Sequence, residues 1–298
     1  MSGYFEQRAG LRGKTAVVLG GGAFTGRAVS LALAQAGVKL HIGDIDTEGM
    51  EQTAADIREL GGEVHTMACD VLDAAAVNAF YDSVESRADA IDILVNVAGG
   101  TSQKPFLTAS PEALERDIRL NYGYVIQSLQ RGIPLIQRGG RGGSIVNFTT
   151  IEAHRGAAGF AVYAGAKAAT TNLTRALAVE HGADRIRLNC IAPDTTPTRG
   201  LSQGLPAETR ERMGALPPTA LQSAIEMYIP MKAPPSVEAL ADAVMFLVSD
   251  LSANVTGMTM HVDGGTMAAA GMIDWPHGDG IMVVPLAATI ERLFVDRT

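Results

Sequence analysis

A chain of 298 residues with 47% hydrophobic and 19% charged residues carries enough apolar material for one large buried core, which excludes extended disorder. A formal net charge of −8 without any basic run argues against nucleic acid or an anionic membrane surface as partner and leaves a small molecule. Its two cysteines, Cys69 and Cys190, lie in apolar runs and read as core; the short polar N-terminus and the lack of any stretch near the ~18 apolar residues of a membrane span complete the expectation of a soluble, cytoplasmic protein without disulfides.

Residues 15–19 read as a strand that runs into Gly20-Gly21-Gly22-Ala23-Phe24-Thr25-Gly26 and then into a helix to residue 36. A glycine turn between strand and helix lets backbone N–H groups and the helix N-terminus approach a pyrophosphate; an ordinary tight turn is the blander reading. The second strand, 38–42, leads to Asp44, where a carboxylate can accept hydrogen bonds from an adenosine ribose or, alternatively, cap the next helix. Ile45 and Asp46 follow with no arginine or lysine nearby, so a 2′-phosphate meets no cation and NAD is expected over NADP. A helix to residue 60, a strand at 64–68, a helix to 86 and strands at 91–96, 144–148, 186–191 and 259–262 continue the βαβ alternation. The expected fold is a single Rossmann-type doubly wound α/β domain over residues 1–265, with about seven parallel strands flanked by helices.

Tyr163 and Lys167 stand four apart in a helical run over 161–180, so they project from one face about one turn apart. A phenol of ordinary pKa about 10 is a poor base near neutral pH, and a neighbouring ammonium is expected to lower that value. Upstream, Thr150 ends a strand and offers a hydroxyl to hold a substrate oxygen near Tyr163. Glu152 and His154 follow on the same loop as candidates for substrate recognition, with solvated loop residues as the alternative. The histidines show no metal-ligand spacing, and no metal site is expected.

Two regions break the rhythm. Residues 194–235 are rich in proline and methionine without a clean period and read as a lid or substrate loop, whose Met and Leu side chains are candidates to line an apolar substrate site. Residues 266–298 form an apolar extension that contains Trp275 and is expected to pack on its own or a neighbouring subunit of a homo-oligomer, dimer or tetramer.

From about residue 11 to 265 the chain resembles the short-chain dehydrogenase/reductase family. The likeness rests on the ordered set Tyr163-Ala164-Gly165-Ala166-Lys167, Asn96-Val97-Ala98-Gly99, Asp70 after the third strand, Asn121, Asn189-Cys190-Ile191-Ala192-Pro193, Thr198 and Asp263-Gly264-Gly265. The resemblance implies an NAD-dependent oxidoreductase interconverting a secondary alcohol and a ketone, taken here as a largely apolar small molecule. It implies that Tyr163 exchanges the proton, Thr150 positions substrate, Lys167 binds the nicotinamide ribose and Asn121 holds a proton-relay water. For the cofactor it implies Gly20, Ala23, Phe24, Thr25 and Gly26 at the phosphates, Asp44 and Ile45 at the adenosine ribose, and Asp70 and Val71 at the adenine. Asn96, Ala98 and Gly99 would line the cleft, with Pro193, Thr196 and Thr198 near the carboxamide.

Three positions depart from the family pattern. Phe24 takes the middle glycine of the turn, with Ala23 as the alternative register; Thr150 replaces the usual serine; and Asp194 replaces the glycine after the proline. An aromatic in the glycine turn also resembles the halohydrin dehalogenases, which makes a cofactor-free lyase the second reading and a non-catalytic nucleotide-binding protein the third. The retained Lys167 and Asp44 favour the NAD enzyme.

Overall fold

In the computed structural model, which describes residues 3–196, 207–293 and 295, a short helix α1 (Tyr4–Ala9) precedes strand β1 (Thr15–Leu19). There follow α2 (Phe24–Gln35), β2 (Lys39–Asp44), α3 (Thr47–Glu59), β3 (Val64–Ala68), α4 (Ala74–Glu85) and β4 (Ile93–Asn96). The second half runs through α5 (Pro111–Ile118), a π-helical turn at Arg119–Gly123, α6 (Tyr124–Gly139), β5 (Gly143–Phe148), α7 (Ala161–Glu180) and β6 (Ile186–Pro193). It ends with α8 (Ala207–Gly214), α9 (Pro218–Tyr228), α10 (Val237–Val248), β7 (Thr259–Val262), α11 (Thr266–Ala269), the hairpin β8 (Ile273–Trp275) and β9 (Gly280–Met282), and α12 (Ala287–Leu293).

All seven expected strands pair in parallel in the order β3-β2-β1-β4-β5-β6-β7. Side chains alternate across a strand, so consecutive residues serve opposite layers. Val18 and Val146 pack with Val29 and Leu33 of α2 and Val244 and Leu247 of α10. Their neighbours Val17 and Ile145 pack with Val77 and Phe80 of α4 and Leu129 and Ile133 of α6. A sheet buried on both faces explains the unbroken apolar runs of β1 and β4. The chain builds outward from β1 to β3 and then crosses to β4, so the turn after β1 lies at the switch point of the strand order, where this architecture opens a crevice.

Boundaries moved where pairing decides them. β2 runs on to Asp44 and β6 to Pro193, because Asp44 pairs with Ala68 and Pro193 with Val262. Both cysteines are buried and free, as core residues. The 194–235 region is not a structureless lid: its described part contains α8 and α9. The tail is tied down on its own chain, with Lys232 forming an ion pair with Asp274, Trp275 Nε1 donating to the Met282 carbonyl at 3.1 Å, and Asp279 accepting from the Thr289 amide at 3.0 Å. It still exposes Ile281, Met282, Val283, Val284 and Leu286. No described helix is long and apolar enough to cross a membrane.

Candidate active site

The turn after β1 is built around glycines that nothing else can replace. Gly20 has φ +85°, and a Cβ there would stand 2.5 Å from the Ala98 amide nitrogen; a Cβ on Gly26 would stand 1.7 Å from the Gly20 carbonyl oxygen. Position 24 itself adopts a left-handed backbone, φ +45°, while Ala23 is extended at φ −139°. The middle-glycine register therefore falls on Phe24, which tolerates a conformation ordinarily left to glycine and keeps its ring 42% exposed. Phe24 lines a groove beside α2 with Arg27 and Asp46 and does not line the cavity that holds Tyr163 and Lys167. The N-cap of α2 is Ala23, whose side chain offers no hydrogen bond, and the helix begins at the switch point.

Asp44 folds back over this turn. Its Oδ2 accepts from the Gly22 amide at 2.8 Å and its Oδ1 from the Asp46 amide at 2.9 Å. The helix cap is Asp46, which accepts from Gly49 N at 2.9 Å, so capping of α3 does not account for Asp44. Ile45 beside it is 69% exposed. Arg27, overlooked in the sequence because it follows the turn rather than Asp44, lies nearby but forms an ion pair with Asp56. Asp70 uses Oδ1 to hold the Leu72 amide at 2.9 Å, which fixes the loop carrying Val71 at the end of β3. Asn96 sits beneath the crevice: it is fully buried, donates to Asn147 Oδ1 at 2.8 Å and accepts from Ser128 Oγ at 2.7 Å. Its side chain braces the strand end, while the backbone of Ala98 closes over Gly20. Taken together, a glycine cradle that Cβ atoms would fill, a helix starting directly after it and an anchored carboxylate fit a dinucleotide.

A cavity of about 560 Å³ opens between β4, β5, β6, α7 and α9. Thr25, Gly99, Thr150, Glu152, Tyr163, Lys167, Pro193 and Thr196 all line it. Thr198 lies outside the described residues. Lys167 is buried and donates to the Phe148 carbonyl at 2.8 Å, and a Cβ on Gly99 would come within 2.9 Å of its Nζ. Asn121 sits in the π-helical turn, where Nδ2 donates to Gly100 O at 2.9 Å and Oδ1 accepts from Gly100 N at 3.0 Å. Its own carbonyl accepts from Thr170 Oγ1 at 2.9 Å, which ties the turn to α7.

The expected depression of the Tyr163 pKa is not found. Burial pushes the phenol up to about 12; the Thr150 hydroxyl pulls it partway back, and the carboxylates of Glu152 and Asp117 add to the rise. Burial outweighs the other contributions. Burial in turn lowers Lys167 from 10.5 to about 8. Below about pH 8 folded and unfolded chains both hold the proton and the cost of burying the ammonium is fully present. Between about 8 and 10.5 the unfolded chain binds the extra proton, so stability rises with pH across that window. Lys167→Met is therefore expected to stabilise the fold at pH 7 by up to about 3 kcal/mol, a gain that shrinks above pH 8. Urea denaturation at pH 7 and pH 10 measures it; destabilisation at pH 7 would mean that the bond to Phe148 outweighs the burial cost.

Sequence reasoning missed the far wall. Arg155 Nη2 donates to Glu152 Oε1 at 2.9 Å and to the Tyr228 hydroxyl at 2.7 Å, and that hydroxyl donates to Asp194 Oδ2 at 2.7 Å. Asp194, unexplained by the family pattern, is thus the acceptor that fixes the C-terminal end of α9. The Glu152–Arg155 spacing was the one signal available in the sequence; Tyr228 comes from 73 residues further on. Among the described Met and Leu residues of the 194–235 region none lines the cavity, and Met213, Leu216, Leu221 and Met231 are exposed; its apolar wall comes instead from Val97, Phe148, Phe160 and Leu240, beside Thr101, Ser102 and Gln103. His154 also lies off the cavity, edge-on to His261 at 4.9 Å between ring centroids. Among the described residues no group of three or more His, Cys, Asp or Glu side chains is placed to hold a metal ion.

A family profile described as enoyl-(acyl carrier protein) reductase matches residues 25–267, most of the chain. The chain belongs to the short-chain dehydrogenase/reductase family. 7alpha-hydroxysteroid dehydrogenase of Escherichia coli (strain K12) is 30% identical to this short-chain dehydrogenase/reductase over 255 residues, 86% of this chain and 94% of that protein. Levodione reductase of Leifsonia aquatica is 31% identical over 262 residues, 86% and 95% of the two chains. The crystal structure of carveol dehydrogenase from Mycobacterium avium, a complex with NAD, is 28% identical and superimposes with a TM-score of 0.80, covering 86% of this chain and 98% of that one. The profile match begins directly after Phe24, at the point where the turn departs from the family pattern.

Proposed function

We propose that the protein is an NAD(H)-dependent oxidoreductase that interconverts a secondary alcohol and a ketone, with Tyr163 as the proton-exchanging group. The observation that carries this reading is the convergence of Tyr163, Thr150 and Lys167 on one cavity that Thr25 and Gly99 connect to the glycine turn. Support comes also from the alcohol and ketone oxidoreductases among its relatives and from the NAD complex of the carveol dehydrogenase.

When bound, the nicotinamide supplies a hydride donor or acceptor at the cavity. Thr150 holds the substrate oxygen beside Tyr163, and Lys167 offers its amine to the ribose from the floor. A phenol near 12 is protonated at neutral pH, which suits Tyr163 to donate to a carbonyl oxygen as a ketone is reduced. Val97, Phe148, Phe160 and Leu240 on the cavity wall support a largely apolar substrate, and Gln103 offers a polar contact beyond the reacting carbon. The retained Lys167 on the cavity and the anchored Asp44 at the turn support an NAD enzyme over a cofactor-free lyase. We also propose a homo-oligomer, a reading supported by the apolar run 281–286 that the tail leaves exposed.

Titration with NADH, NADPH and halide, followed by nicotinamide fluorescence, tests the cofactor, and turnover of a panel of secondary alcohols tests the reaction. NADH is expected to bind more tightly than NADPH, with no halide effect. Because Asp44 repels a 2′-phosphate and accepts from a ribose hydroxyl, Asp44→Ala is expected to shrink the NADH-over-NADPH preference by about tenfold or more. Equal discrimination in that variant would place the selectivity elsewhere.

A further inference from the structure

Helix α9 keeps its place without a core of its own. None of its residues is buried, and residues 218–224 are all exposed. Beyond its C-terminal end the chain is anchored: Ile229 is 1% exposed, and the Met231 amide donates to the Gly264 carbonyl at 3.0 Å. One side chain of α9 lines the cavity, that of Tyr228. We propose that Tyr228 is a positioning residue that seats the substrate, its ring held in the cavity wall by the hydrogen bonds it receives from Arg155 and gives to Asp194. This deepens the function proposed above and rests on it.

The bonds use up their donors. Arg155 Nη2 carries two protons and gives one to Glu152 at 2.9 Å and the other to the Tyr228 hydroxyl at 2.7 Å. That hydroxyl has a single proton, which goes to Asp194 Oδ2 at 2.7 Å. The Arg155 guanidinium also lies over the Tyr228 ring, 5.9 Å from its centroid, so the phenol is held by face and by hydroxyl. Asp194 is fixed in turn: its Oδ1 accepts from the Thr195 hydroxyl at 3.1 Å and its carbonyl from the Thr196 hydroxyl at 3.2 Å. At the other end of the belt the second oxygen of Glu152 accepts from the Thr150 hydroxyl. One phenol therefore bridges the loop after β5 and the turn after β6, at the C-terminal ends of two paired strands.

Two consequences bear on the substrate. The charged groups of this wall spend their hydrogen bonds on one another, and Tyr228 adds an aromatic ring to a cavity that already has Val97, Phe148, Phe160 and Leu240. A wall fixed before the ketone arrives costs no ordering when it binds, so the fixed ring contributes directly to affinity. The second consequence concerns where a loss falls. Removing the Tyr228 hydroxyl leaves Arg155 on Glu152 and Glu152 on Thr150, so the group proposed to hold the reacting oxygen keeps its own partner. Freeing Tyr228 loosens the seat and spares the chemistry, a loss that belongs to KM and not to kcat.

Steady-state reduction of a ketone series, from acetone through cyclohexanone to 4-tert-butylcyclohexanone at saturating NADH, reads this split. For each ketone turned over, Tyr228→Phe is expected to raise KM about tenfold while kcat stays within about threefold. A tyrosine that only lent stability would leave the KM of the folded enzyme where it was. Asp194→Ala should show the same split, and Asp194→Asn, whose amide oxygen still accepts from Tyr228, should recover most of what the alanine loses. The Tyr228→Phe/Asp194→Ala double variant should be no worse than either single one, because both cut the same bond. Amide hydrogen exchange needs no turnover and serves if the alanine variant does not fold: residues 221–228 should exchange faster in Tyr228→Phe than in wild type. A folded Tyr228→Phe with wild-type KM, or with α9 exchanging as slowly as in wild type, overturns the proposal and leaves the proposed function standing. If the wild type reduced none of these ketones and oxidised none of the panel alcohols, the proposed function would fail and this role with it.

Discussion

Tyr163→Phe is expected to lower kcat by about 10³-fold in both directions while changing NADH affinity by less than about threefold. The asymmetry follows from what the substitution removes. The ring remains, edge-on to Phe160 at 6.4 Å between centroids, so the cavity wall keeps its shape. Only the hydroxyl disappears, and with it the group proposed to exchange a proton with the substrate oxygen. A phenol held up to about 12 gives up its proton readily only to a carbonyl oxygen that gains charge in the transition state, so the loss falls on kcat rather than on binding. Stopped-flow reduction of a ketone substrate, with NADH fluorescence titrated in parallel, separates the two quantities. Turnover within tenfold of wild type would require another proton donor.

Gly26→Ala is expected to abolish dinucleotide binding, by at least about 100-fold or roughly 3 kcal/mol, and to destabilise the fold by a similar amount. A methyl at that position falls 1.7 Å from the Gly20 carbonyl oxygen and 2.9 Å from the Gly21 Cα. Neither neighbour is a flexible side-chain end, so the turn between β1 and α2 must open, and the phosphate cradle opens with it. Phe24→Gly is the informative control, because it relaxes a left-handed residue without adding bulk and should leave NADH binding intact or improved. Isothermal calorimetry and urea denaturation read both variants; a Gly26→Ala protein that bound NADH normally would show that the turn is not the phosphate site.

The parallel sheet was legible because each strand is a short apolar run between helices of a different period, and burial on both faces leaves little else such a run can do. The two helices of the 207–228 stretch were not. Prolines there suggested a loop, yet Pro218 is the first residue of α9, the position where a missing N–H costs nothing. At the site, Tyr163, Lys167, Thr150 and Asn121 could be found from local spacing and order. Arg155, Tyr228 and Asp194 could not, since their meaning comes from a hydrogen-bond chain joining three distant segments. The direction of the Tyr163 shift was also out of reach: it depends on how deeply the phenol is enclosed, which does not follow from a four-residue interval.

Tyr228 gives the molecule an unusual economy of parts. Helix α9 ends on it, the tail hairpin leans on the segment just after it through Lys232 and Asp274, and its hydroxyl is shared between Arg155 and Asp194 at the end of β6. Changes in the C-terminal extension, far along the chain from the chemistry, therefore have a mechanical route to the rim of the cavity.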